Sequence, residues 1–439
     1  MQTVASALLV LSVLFAMIFR SLAAAKTVGI CGCGVAGSVA ANALARSGYE
    51  VHIFEGGRGP GGRSSSRRYD QYSFDHGAQY IKRAKTPKFQ ELVDGWVADG
   101  LLQQWTGNFG EYSPLTGAIT QTSQDPKDAR FVAVPTMGAL CEKLVQADGI
   151  HCHFGRSISV TTREAVAETD QPSGTKWRVT DAATGEMLKE VDWIISTDRG
   201  SMSSLLNTCN SEGELQRDRA TVLDCVSRIP SMVTMILLKS PLPRSLFPFD
   251  SVTFLPGTEG GRIGTLGWIA RDTSKPGRFT GDAGSGDGME SWVVQATAQF
   301  SQEVIAEVGS GLGPAETKKR VNEVAALALQ QAFVEFVEMA MRQGGGPASD
   351  SGALEASIVR VVGHRWGGAF PVLDVHAANF AERSALLAAT GGGHSYIHKR
   401  LQYAAIGDFF SPSLAGRVEG AAVSALSAVD SILLADSSP

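Results

Sequence analysis

The chain has 439 residues, 44% of them hydrophobic and 19% charged, and a formal net charge of −5. That length supports two or three domains with a real core, and the composition is that of an ordinary globular protein. The negative charge gives no general attraction to phosphate backbones, which argues against nucleic-acid binding.

The first 25 residues, "MQTVASALLVLSVLFAMIFRSLAAA", hold an apolar run of 16, Val4 to Phe19, followed by Arg20 and small residues to Ala25. A membrane span needs about 20 apolar residues. The Ala23-x-Ala25 end suits a cleaved secretory signal, although no basic residue precedes the run. An uncleaved anchor and an organelle address are the rival readings. If uncleaved, this segment is the expected membrane contact. Six cysteines, at 31, 33, 141, 152, 209 and 225, form no CxxC pair. His151-Cys152-His153 offers at most two ligands on one strand face, so no metal site is expected.

Residues 26–55 read as a strand–helix–strand unit: a strand to Cys31, an alanine-rich helix from Ala36 to Arg46, and a strand from Val51 to Glu55. Gly32-Cys33-Gly34-Val35-Ala36-Gly37 between them is G-x-G-x-x-G. Gly32 permits the tight turn, Gly34 lets the backbone approach a pyrophosphate, and Gly37 lets helix and strand pack closely. The helix N-terminus then offers N–H groups to phosphate. Glu55, 23 residues after Gly32, is placed for ribose hydroxyls. The unit predicts dinucleotide binding without distinguishing FAD from NAD.

"GRGPGGRSSSRR", residues 57–68, would alone pass for a basic tail or linker. It lies between Glu55 and another strand-like segment, "RRYDQYSFDHGAQYI". Gly61 and Gly62 permit a turn pressed against a cofactor, and Arg63 offers a planar fork of donors.

Farther along, strands are expected at 231–239, 251–255, 262–270, 291–299 and 357–362, with a long amphipathic helix at 317–341. Glycine- and serine-rich residues at 272–290 and 343–353 read as mobile loops, with Lys275 a solvated or turn lysine. "AAIGDFF" is a short strand ending at Gly407-Asp408, and a helix is expected from about Val418.

These motifs resemble a known family. Glu55 to Arg63 reads E-x5-G-G-R, a second fingerprint of many FAD enzymes of the glutathione-reductase-like superfamily. "FEGGRGPGGRSSSRR" with "FDHGAQYI", "VGHRW" (362–366) and "IGDFFSPSLAGRVEG" (406–420) resemble the renalase-like branch of the flavin amine oxidases. The resemblance runs from about residue 27 to 434 in family order. It implies an α/β fold, with a discontinuous Rossmann-like FAD domain of glutathione-reductase type at 26–85, 131–205 and 395–439. An inserted antiparallel-sheet substrate domain, α+β in class, would take 86–130 and 206–394.

FAD is the implied cofactor. The resemblance places Gly77, Ala78, Gln79 and Tyr80 along the flavin ring and the Ile158 backbone against adenine. It places Asp408 at the ribityl or pyrophosphate and the helix start at Val418 and Glu419 by the flavin N1–C2 edge. Gln79, Tyr80, His364 and Trp366 are the expected substrate contacts, His364 more as an orienting group than a proton carrier. The flavin carries the chemistry, so no catalytic side chain is assigned; Lys275 is similar in type to the flavin-side lysine of amine oxidases, but its loop-like setting favours a solvated or turn lysine. The implied reaction takes a hydride from a small reduced substrate, isomeric dihydronicotinamide nucleotides, and passes electrons to O2, giving peroxide. An amine or polyene oxidase, a non-catalytic FAD protein and a flavin-free NAD binder are the alternatives. Two departures from the family bear on the pocket: Gly367-Gly368 after Trp366, and "STDRGSMSSLL" after the strand at 193–197.

Overall fold

A computed structural model describes residues 25–122, 125–162, 176–208, 214–257, 261–280, 288–308, 314–346 and 352–437. The apolar leader, Cys209 and parts of both glycine-rich loops lie outside the described residues.

Two sheets organise the chain. The first has six strands in the order Ile150–Phe154, Glu50–Glu55, Thr27–Cys31, Trp193–Ser196, Tyr403–Ala405, Tyr396–His398. All pairs in it are parallel except the last. A buried parallel sheet explains why Thr27–Cys31 is apolar on both faces rather than alternating. Helix Val35–Arg46 packs on the C-terminal helix Val418–Ser437 through small residues, with Ala40, Ala41, Ala422, Ala425 and Ala428 all buried. Asp436 secures that helix, receiving Lys26 Nζ at 2.7 Å and Tyr49 Oη at 2.7 Å.

The second sheet has seven strands and is antiparallel except for one parallel pair, Phe109–Ser113 with Ser251–Phe254. One edge is the long pair Ile358–Leu373 and Val226–Leu238, followed inward by Glu290–Ala296 and then Leu266–Arg271. Helix Pro314–Gln343 covers one face, burying Leu329, Phe333, Phe336 and Val337 against Ile236, Trp292 and Val294.

Several expected boundaries shift. The strand expected at 262–270 starts at Leu266, after a short turn at Ile263–Thr265. The strand expected at 357–362 runs instead from Ile358 to Leu373, so Gly367 and Gly368 sit inside a strand. Opposite them the register jumps, with Ile229 facing Phe370 and Ser231 facing Trp366. Pro230 lies at the jump; a proline has no N–H for the ladder, and a bulge accommodates that loss. The segment after residue 272 is also not a mobile loop where described. Asp272–Ser274 forms a turn of 3₁₀ helix, and Lys275 and Arg278 are buried.

Candidate functional site

A cavity of about 560 Å³ runs between the two sheets. Its first end is made of main chain. Gly32 has φ +110°, and a Cβ there would lie 2.3 Å from Thr197 Oγ1. A Cβ on Gly37 would lie 2.1 Å from the Gly32 carbonyl oxygen, so the helix approaches the strand only because this residue is glycine. Gly34 differs from both. Its φ is −79°, and a Cβ would meet no protein atom closer than 3.9 Å. The missing side chain leaves room in the cavity itself, beside the free N–H groups of the first helical turn.

The two glycine motifs form one unit. Gly61 N–H donates to the Cys33 carbonyl at 2.8 Å, and Gly34 and Gly61 form an isolated parallel bridge. Glu55 braces both: Oε2 accepts from Cys33 N–H at 2.8 Å and Oε1 from Gly57 N–H at 2.6 Å. Arg63 forms a fork with Asp408, at 2.7 and 2.6 Å, and reaches the Ala369 carbonyl at 3.0 Å. Sequence reasoning assigned the two residues separately to cofactor; the fold pairs them with each other. Asp408 also joins the two sheets through that fork, since Arg63 holds the long strand at Ala369.

Gly77 is the crossing point. A Cβ there would lie 1.9 Å from the Arg63 carbonyl, which accepts from Ala78 N–H at 2.9 Å. Gln79 and Tyr80 continue the cavity wall, joined by Trp268, Gln295, Ser231 and Trp366 from the antiparallel sheet. Gln295 donates to the Gly77 carbonyl at 3.0 Å, and Trp366 Nε1 donates to the His76 carbonyl at 2.8 Å. The bulge opposite Pro230 brings Ala369 and Phe370 to the same wall. The inserted glycines therefore turn the strand into the cavity.

Behind this wall lies an ionic cluster. Asp75 accepts from Ser66 at 2.6 Å, Met137 N–H at 3.0 Å and Lys275 Nζ at 3.0 Å, and also from Arg278. Lys275 also bonds Asp272 and donates to Gln79 Oε1 at 3.2 Å. Burial opposes the Asp75 charge, but Lys275 and Arg278 outweigh it and hold its pKa well below the carboxylate range. Asp272 goes the other way, pushed up by burial and then by Asp75. Lys275, expected in solvent, is 2% exposed and fixes Gln79 instead. Its local sequence does form a turn; docking of that turn onto Asp75 buries it.

Two expected residues are absent from the cavity wall. His364 packs one layer behind Trp366, its ring 4.4 Å from the indole and 4.5 Å from His76. Burial lowers the His364 pKa to about 3 and that of His76 to about 4, so both rings are neutral at pH 7. Ile158 heads a separate three-stranded sheet and packs against the hydrophobic cluster that holds Trp177, Val191 and Tyr403, outside the cavity lining. The other expected positions, Gly32, Gly34, Val35, Ala36, Gly37, Glu55, Gly61, Gly62, Arg63, Gly77, Ala78, Gln79, Tyr80, Trp366, Gly407, Asp408 and Val418, all line it.

The helix start at Val418 also reaches the cavity. Glu419 lines it too, but its carboxylate is engaged: Oε1 accepts from Lys85 N–H and Thr86 N–H, both at 2.8 Å, and so fixes the turn leading into helix Pro87–Ala98. Thr197 and Asp198, in the "STDRG" departure, lie at the glycine end of the cavity. Thr197 donates to the Cys31 carbonyl at 2.7 Å, and Asp198 accepts from Gly200 N–H at 2.6 Å and caps the following helix. The departure thus leaves the aromatic end untouched. Sequence reasoning missed Arg417, which lines the cavity with a buried Nη1 that has no hydrogen-bond partner. An orphaned guanidinium nitrogen and an unfilled space at Gly34 both fit an anionic dinucleotide.

A family model described as an NAD(P)-binding Rossmann-like domain matches residues 30–96. Among solved structures, the chain is similar to putrescine oxidase in complex with putrescine, at TM-score 0.61 and 12% identity, covering 93% of this chain and 99% of that one. It is also similar to a candidate protoporphyrinogen oxidase from Exiguobacterium sp. 255-15, at TM-score 0.58 and 11% identity, with 93% and 99% covered. At such identities the likeness establishes a shared fold: a Rossmann-like domain joined to an antiparallel-sheet domain, as in these oxidases.

Proposed function

We propose that this chain is an FAD-dependent oxidase that takes a hydride from a small reduced substrate and passes the electrons to dioxygen. The observation that carries this reading is one cavity joining a glycine-built dinucleotide cradle to an aromatic chamber. Gly34, Gly61, Gly62 and the first turn of helix Val35–Arg46 would hold the pyrophosphate, Glu55 the adenosine ribose and Arg417 a negative group near the helix at Val418. Bound FAD supplies hydride acceptance and onward reduction of oxygen. The substrate loses a hydride, solvent contributes one proton, and O2 leaves as H2O2. The protein orients the donor ring between aromatic faces and keeps bulk water from it.

Isomeric dihydronicotinamide nucleotides suit the chamber better than amines. Ser231, Trp268, Gln295, Trp366, Ala369 and Phe370 form its far wall, and none is acidic. The acids that line the cavity, Glu55, Asp198, Asp408 and Glu419, are each already engaged by backbone N–H groups or by Arg63. A cationic diamine would enter without a counter-ion, whereas a planar neutral ring stacks on indole. The test is anaerobic mixing of the yellow, flavin-loaded protein with such nucleotides and with putrescine. Bleaching by the nucleotides alone is expected; bleaching by putrescine alone favours an amine oxidase, and none by a broad donor panel favours a non-catalytic flavoprotein. A colourless, folded protein that binds NAD would overturn the flavin reading. The leader supports entry into the secretory route, which N-terminal sequencing of the native protein tests.

A further inference from the structure

A cluster outside the cavity, on the edge of the parallel sheet, carries a separate inference. Strand Glu50–Glu55 and edge strand Ile150–Phe154 are parallel, with His151 beside His52 and His153 beside Phe54. Side chains two apart share a face, so Glu50, His52, His151 and His153 all project from the same side. Glu50, His52 and His151 each place one ligand-type atom within 4.8 Å of the others. His52 Nε2 lies 2.9 Å from Glu50 Oε1, and His151 Nε2 lies 3.9 Å from the same oxygen. These spacings bracket the ligand–ligand edge of about 3.3 Å that tetrahedral bonds of about 2.0–2.1 Å require.

We propose that Glu50, His52 and His151 form a binding site for an imidazole-preferring divalent metal of the zinc or copper(II) class. His52 is the anchor. Its Nε2–H donates to Glu50 Oε1 at 2.9 Å, and its Nδ1 lies 3.1 Å from His153 Nε2; an ion binding at Nε2 would displace that proton and leave Nδ1–H to donate to His153. Metal-binding histidines are oriented by such an outer hydrogen bond. The His52 side chain is 8% exposed, while His151 is 53% exposed and leaves the fourth position open to water. Two nitrogens and one carboxylate oxygen select zinc, copper or nickel over calcium or magnesium, which take oxygen sets. Lys189 Nζ, 3.0 Å from Glu50 Oε1, is the opposing feature. The ion must share that carboxylate with the ammonium, so Lys189 lowers affinity. Bound metal would tie the edge strand to the strand that ends at Glu55.

The test is titration of tag-free, chelator-stripped full-length protein with Zn(II), Cu(II) and Mg(II), read by calorimetry and thermal melting. We expect one Zn(II) or Cu(II) per chain with micromolar or tighter Kd, a melting point raised by at least about 2 °C, and no such response to Mg(II). His151→Ala, a surface change, should weaken binding at least tenfold, His153→Ala less, and Lys189→Met should tighten it. Equal binding by wild type and His151→Ala, equal response to Mg(II), or no stoichiometric binding overturns the proposal. Flavin content plays no part in these readouts.

Discussion

The two ends of the cavity are built by different means. At the glycine end the surface is main chain, and its shape follows from residues that lack side chains within a few positions of one another. At the aromatic end the surface is side chain, contributed by Gln79, Trp268, Gln295 and Trp366 from distant segments. Two of these are held from behind: Gln79 by Lys275, and Trp366 by the His76 carbonyl. A backbone cradle is broken by adding atoms; a side-chain wall is broken by removing its buried supports.

The largest effect is expected behind the wall. Asp75→Ala leaves Lys275 and Arg278 buried without their shared carboxylate, and should cost about 3–5 kcal/mol in denaturant-measured stability. Next is the pH response of His76. Burial holds its folded pKa at about 4, whereas the unfolded chain takes up that proton at about 6.5. The unfolded state binds more protons between these values, so the contribution is complete above pH 6.5 and lost as pH falls toward 4. Its full size is about 3 kcal/mol, and His76→Leu should flatten the stability profile across that window. Identical slopes for the variant and the wild type would mean that His76 titrates freely.

The cradle responds in the opposite sense. Gly34→Ala meets no protein atom closer than 3.9 Å and should leave the melting point nearly unchanged. Flavin affinity should nevertheless fall about 30-fold, or about 2 kcal/mol, read from cofactor retained on dialysis. A matching loss of stability would place the crowding within the protein instead. The smallest effect is Trp366→Phe, which keeps a ring but loses the 2.8 Å bond to the His76 carbonyl. A rise in KM of about fivefold, with kcat little changed, corresponds to about 1 kcal/mol. An unchanged KM would make the indole a passive wall.

The same contrast explains what was legible beforehand. Gly32, Gly34, Gly37 and Glu55 act through chain geometry within one strand–helix–strand unit, so their spacing carries their role. Lys275 carries no such mark: "SKPGR" reads as a turn, and only contact with Asp75, 200 positions away, makes it buried. His364 and Trp366 share a strand face by period, yet only the indole reaches the cavity. Arg417 stands next to Val418 and was within reach of the helix-start argument. Trp268 and Gln295 lie on strands that the sequence predicts, at 262–270 and 291–299, but nothing local marks either as a cavity residue.

Composition, period and glycine spacing determined the Rossmann-like half, because each acts over a few residues of backbone. Tertiary structure decided the aromatic chamber, because a bulge opposite Pro230 and a buried ionic cluster aim side chains that distant segments supply. It decided the histidine cluster too. One strand presents His151 and His153 and falls short of a ligand set; parallel pairing in register with Glu50 and His52 completes it.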